Sequence, residues 1–88
     1  MSSDDPGAEL EFPLECHFRL ITENLQNMHF VIETVLMELG VHDPVEQANA
    51  SETGKYISFN ISTVVESLDQ MNRIDKELRL IQGVKMVL

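Results

Sequence analysis

The run Glu15-Cys16-His17-Phe18-Arg19 places a carboxylate, a thiol, an imidazole and a guanidinium within five residues. Such groups can supply a nucleophile, a general base and an anion clamp when they converge on one point. On a strand they do not converge, because successive side chains point to opposite faces. Cys16 then turns inward, away from Glu15, His17 and Arg19. A thiol aimed into an apolar interior is inert, so Cys16 reads as a small core residue. His17 is left on the outer face between Glu15 and Arg19, with Ser58 or Asn60 expected beside it on the neighbouring strand. That cluster is the one catalytic constellation the sequence offers, and an open sheet gives it little exclusion of water. Asp75, near the buried edge of a helix, fits a structural hydrogen bond as well as it fits chemistry. No catalytic residue is assigned, and the chain is expected not to be an enzyme.

Metal and cofactor chemistry find no better footing. His17, His29 and His42 fall on a strand, a helix and a loop, without the short ligand spacings of zinc sites. The four glycines at 7, 40, 54 and 83 are too scattered for a phosphate-cradling loop. No metal and no cofactor are expected.

The elements that must hold these residues follow from apolar periodicity. Leu14 to Ile21 alternates, with Leu14, Cys16, Phe18 and Leu20 inward, as a half-buried strand does. Thr22 or Asn24 can cap a helix whose stripe is Leu25, Met28, Ile32, Val35, Leu36 and Leu39. Gly40 supplies a left-handed stop, and Pro44 discourages continuation. Val45 to Ala50, poor in β-branched residues, predicts a weak edge strand. Ser51-Glu52-Thr53-Gly54 is a hairpin loop. Lys55 to Ser62 alternates again, with Ile57, Phe59 and Ile61 inward. Thr63-Val64-Val65-Glu66 has capping-box spacing. A second helix burying Val64, Leu68, Met71, Leu78 and Ile81 follows, and a last strand runs from Val84 to Leu88.

This order predicts an α+β, ferredoxin-like βαββαβ domain: a four-stranded antiparallel sheet with two helices on one face. Right-handed crossovers put the first and third strands at the centre, where they are expected to run parallel to each other. The helix-free face is then made of Glu15, His17, Arg19, Tyr56, Ser58, Asn60 and Ser62, flanked by Lys85 and Val87. Glu15, His17, Arg19, Tyr56, Ser58, Asn60 and Lys85 form the candidate interaction face.

Composition bounds the function. With 43% hydrophobic and 24% charged residues the chain is of ordinary globular type. No apolar run approaches the ~18–20 residues of a membrane span, and the N-terminus lacks the basic and apolar regions of a secretory signal. A single cysteine suits a reducing cytoplasm. Residues 1–9 read as a disordered acidic leader and 10–88 as the domain. The net charge of −9, with six basic residues scattered among more numerous carboxylates, excludes the positive footprint that nucleic acid requires. RNA-recognition domains of this strand order stack bases on aromatics of the central strands; here Tyr56 alone is available.

Leu10-Glu11-Phe12-Pro13, the hairpin Ser51-Glu52-Thr53-Gly54-Lys55-Tyr56 and the closing Val84-Lys85-Met86-Val87-Leu88 resemble the YbeD-like family of small bacterial proteins. The resemblance runs from Leu10 to Leu88. It implies a ferredoxin-like fold akin to the ACT-type regulatory domains of amino-acid-metabolising enzymes, and no catalytic residues. It also implies small-molecule sensing or pairing through the sheet. ACT domains commonly carry a glycine at the first strand–helix turn, where this chain has Thr22-Glu23-Asn24. The expectation is a non-catalytic, ACT-like regulatory or protein-interaction module of the bacterial cytosol. Its partner would be a protein, or a second copy, at the open sheet face or an edge strand. The alternatives are a metabolite sensor and, further off, a small enzyme using His17.

Overall fold

The order of elements in a computed structural model, which describes residues 10–88, is strand–helix–strand–strand–helix–strand. The acidic leader assigned to residues 1–9 lies outside the described residues. Strands β1 (Leu14–Glu23) and β3 (Tyr56–Val65) are ten residues each and pair along their whole length, from Leu14 opposite Val65 to Glu23 opposite Tyr56. Strand β2 (Val45–Gln47) adds to the outside of β3, and β4 (Val84–Val87) to the outside of β1.

The two central strands are those the sequence implied, but they run antiparallel. The expectation of a parallel pair miscounted the reversals. A crossover through the first helix returns β2 in the direction of β1, and the β2–β3 hairpin then reverses the chain once more. Every ladder in the sheet is antiparallel.

Helix α1 (Met28–Glu38) begins later than either proposed cap. Thr22 stays in β1 because it is fully buried, its hydroxyl donating to the Glu23 carbonyl at 2.9 Å. The helix instead follows Asn27, which takes a left-handed φ of 68° and makes no side-chain cap; asparagine tolerates that region better than most residues. Its end is the one expected. Gly40 sits at φ 80°, its N–H donating to Met37 O and that of Val41 to Leu36 O, the paired bonds of a Schellman stop.

Helix α2 (Leu68–Arg79) starts after Ser67, not Thr63. β3 continues through Val65, so Thr63 faces inward and donates to Asp43 Oδ2 at 2.6 Å, tying the sheet to the loop after α1. Val64 consequently faces out and is exposed, contrary to its expected place in the helix core. Ile74 and Leu78 are the buried anchors of α2, with Met71 partly buried beside them.

The core lies between the helices and the sheet: Leu20, Phe59, Ile61 and Val65 below, Ile32, Leu36, Ile74 and Leu78 above. Each side chain so enclosed contributes about 2 kcal/mol relative to exposure. Two side chains bind layers together. His29 Nε2 lies 2.9 Å from the Val45 carbonyl, with its ring tilted over Phe59 at 5.6 Å. Arg79 grips Asp75 at 2.7 and 3.2 Å and donates to the Val87 carbonyl at 2.9 Å, joining α2 to β4. The adjacent carboxylate raises the Arg79 pKa further. Of the two readings open for Asp75, the structural one has its partner in Arg79.

Candidate interaction face on the open sheet

Because both helices pack on one side of the sheet, the odd-numbered residues of β1 and the even-numbered residues of β3 line the other. The register stacks them in rows: Glu15 with Val64, His17 with Ser62, Arg19 with Asn60, Ile21 with Ser58, and Glu23 with Tyr56. Directly opposed side chains on one face of an antiparallel pair are neighbours.

At one end His17 Nδ1 lies 2.7 Å from Ser62 Oγ, and His17 Nε2 lies 3.6 Å from Glu15 Oε1. The partner is Ser62 rather than Ser58 or Asn60, as the antiparallel register dictates. The composition is that of a nucleophile, a base and an orienting acid. Its setting is not: the His17 and Glu15 side chains are 70% and 65% exposed, so water competes for every one of these bonds. In the middle, Arg19 sits between Asn60 on β3 and Leu88, with which it exchanges two backbone hydrogen bonds. Glu46 of β2 stands on the far side of Asn60. The next row crosses from Met86 through Ile21 to Ser58. Ser58 faces out, yet only 7% of it is accessible, because its short side chain lies low between longer neighbours.

At the other end Tyr56 stands opposite Glu23, whose carboxylate is 3.7 Å from Lys85 Nζ. Two outward-facing rows, Arg19–Asn60 and Ile21–Ser58, lie between this pair and the His17–Ser62 row. At ~3.4 Å per residue the two ends are roughly 20 Å apart. The candidate residues therefore share one face without forming one cluster.

The face is also less polar than the sequence suggested. Ile21, Val64, Met86 and Leu88 face out with it, and Val87, expected there, is buried. The ladder register slips between Ile21 and Thr22, opposite Lys85; this irregularity sets Met86 outward and Val87 inward. For Ile21 and Val64 the signal was present, since the alternation simply continues through them.

Cys16 points to the helix side, partly buried against the core. It lines a cavity of about 280 Å³ with His17, Phe18, Met71, Asn72, Asp75 and Leu88. Burial raises its thiol pKa, which keeps the sulfur protonated and a poor nucleophile. Among the described residues no three His, Cys, Asp or Glu side chains gather as a metal site would need, and no helix is long and apolar enough to cross a membrane.

Comparison with known proteins places this architecture. Residues 7–88 match the model of the family described as "Protein of unknown function (DUF493)". A UPF0250 protein of Shewanella frigidimarina is 32% identical over 79 residues, 90% of each chain. A UPF0250 protein of Haemophilus influenzae is 29% identical over 79 residues, 90% of this chain and 86% of that one. The solution structure of protein HP0495 from Helicobacter pylori superposes with a TM-score of 0.79 at 23% identity, covering all of this chain and 94% of the other. The ACT domain from the GTP pyrophosphokinase of Chlorobium tepidum superposes with a TM-score of 0.63 at 18% identity, covering 85% of this chain and 95% of that domain. These likenesses establish a ferredoxin-like fold of ACT type.

Proposed function

From the premise that the chain belongs to the DUF493/UPF0250, YbeD-like family of small bacterial proteins, we propose that it is a non-catalytic regulatory or protein-interaction module. It works in the cytoplasm and presents the open sheet face to a protein partner or a second copy. The carrying observation is the face itself. Two full-length central strands offer it without a covering helix, and its polar residues Arg19, Asn60 and Tyr56 alternate with exposed Val64, Met86 and Leu88. Mixed apolar and polar groups around an aromatic and an arginine are what protein interfaces favour. The likeness to an ACT domain that forms part of a larger enzyme agrees with an accessory role.

The test is the double substitution Arg19→Thr, Tyr56→Thr, which keeps strand-compatible residues at exposed positions. Melting should change little, while dimer content or capture of a partner should weaken about tenfold. Unchanged oligomer mass and unchanged capture would remove the sheet face from consideration. A second reading, a metabolite sensor, draws support from the cavity beside Cys16, which is near the lower size limit of small-ligand sites. Ligand-induced melting shifts follow RT ln(1 + [L]/Kd), so a metabolite screen separates the two readings.

A further inference from the structure

The opposite side of the molecule carries an inference independent of the sheet face. A helix that packs on a sheet needs one apolar stripe, and α1 has it in Met28, Ile32 and Leu36. Its outer side carries two large apolar side chains as well. Phe30, Thr34 and Met37 recur at helical spacing on the outer side, with Phe30 69% and Met37 62% exposed. Beside them lies a groove of about 270 Å³ between α1 and the loop that follows it, walled by Phe30, Met37, Val41 and Pro44 and rimmed by Glu33 and Asp43.

The groove is lined by the carboxylates of Glu33 and Asp43 and by His42, with no lysine or arginine among its lining residues. Between Arg19 and Lys55 the chain has no lysine or arginine, and it has six carboxylates, Glu33, Glu38 and Asp43 among them. An apolar centre in such a field selects its occupant. Anionic lipid and nucleic acid are repelled. A second copy carries the same −9 and is repelled as a whole. Its helix α2 balances Arg73, Lys76 and Arg79 with Asp69, Asp75 and Glu77, and Arg79 is already held by Asp75. A basic amphipathic helix is complementary on both counts, laying large apolar side chains into the groove with Lys or Arg alongside.

We propose that the outer face of α1 is the docking surface for a cationic amphipathic helix of another protein, anchored at Phe30 and Met37 and oriented by Glu33, Glu38 and Asp43. The probe is a labelled leucine–lysine peptide of roughly 15 residues, long enough to form a helix on binding, with its leucines on one helical face. Its anisotropy is titrated with the full chain. A scrambled peptide of the same composition is the control. The amphipathic peptide should bind at least about tenfold more tightly than the scrambled one. Phe30→Ser with Met37→Ser should weaken it about tenfold at unchanged melting, since both side chains are exposed. Glu33→Gln with Glu38→Gln should weaken it too and flatten its dependence on salt; were the serine variant to unfold, this pair alone decides. Equal binding of the two peptides, no binding of either, or indifference to whichever variants fold would overturn the proposal. So would loss of a homodimer in the serine variant, which would assign the face to a second copy.

Discussion

The most constrained single position is Gly83, in the turn between α2 and β4. Its φ of 96° lies where side chains are strained, and a Cβ there would come within 2.6 Å of Met28 Cε and 2.9 Å of Leu25 Cδ1. Its carbonyl meanwhile accepts the Glu23 N–H at 2.8 Å, fixing the end of β1. Leu25 Cδ1 and Met28 Cε are the far ends of flexible side chains, so the larger cost is that of holding a side chain at this backbone angle, with the repacking of buried Met28 added to it. Gly83→Ala should therefore lower unfolding stability by about 1–3 kcal/mol. Urea denaturation measures it, and a loss within error of zero would mean the turn relaxes freely. Nothing in the sequence marked this glycine, because its neighbours Leu25 and Met28 come from the start of α1 and the turn before it, more than fifty residues earlier. The faces assigned to Cys16 and His17, by contrast, were legible from alternation alone. The hydrogen-bonding partner of His17 was not, since it depends on ladder register.

Among the elements, the strands and the helix stop at Gly40 were more legible than the helix starts. Thr22 and Thr63 both looked like caps, and both are buried strand residues on the inner face of the sheet. A threonine serves either role, and local spacing cannot tell how far a strand runs before its helix begins. The true cap of α2 nevertheless has a recognisable form. Ser67 Oγ accepts the Gln70 N–H at 3.1 Å, while Gln70 Oε1 accepts the Glu66 N–H at 2.6 Å. This is a serine and glutamine at capping-box spacing, with the return bond displaced one residue upstream. Ser67→Ala should cost about 1 kcal/mol. Thr63→Ser, which keeps the hydroxyl that reaches Asp43, should cost less. If Ser67→Ala leaves the denaturation midpoint unmoved, the start of α2 is held by packing of Leu68 and Met71 and not by its cap.

At the scale of the whole molecule, strand order and the placing of both helices on one face followed from the element sequence, whereas the relative direction of β1 and β3 required counting reversals. Charge adds a feature that neither layer nor topology explains. The ion pairs of the described residues are few and exposed, Asp75–Arg79 and Lys85–Glu23, with His29–Glu33 and His17–Glu15 in contact as well. Exposed pairs contribute at most about 1 kcal/mol each. Against them stands the mutual repulsion of a chain at −9, with six carboxylates and no lysine or arginine between Arg19 and Lys55. Salt screens both effects, so the sign of its influence on stability shows which dominates. Repulsion acts among many carboxylates at distances near the Debye length, where screening is most effective. The contact pairs are shorter than that length and are screened less. The melting temperature should accordingly rise by a few degrees, corresponding to roughly 0.5–1 kcal/mol, as sodium chloride increases from about 10 to 200 mM. A flat or falling melting temperature in a calorimetric salt series would show that the contact pairs outweigh the repulsion. The stretch between Arg19 and Lys55 would then lack the strong field on which capture of a cationic partner depends.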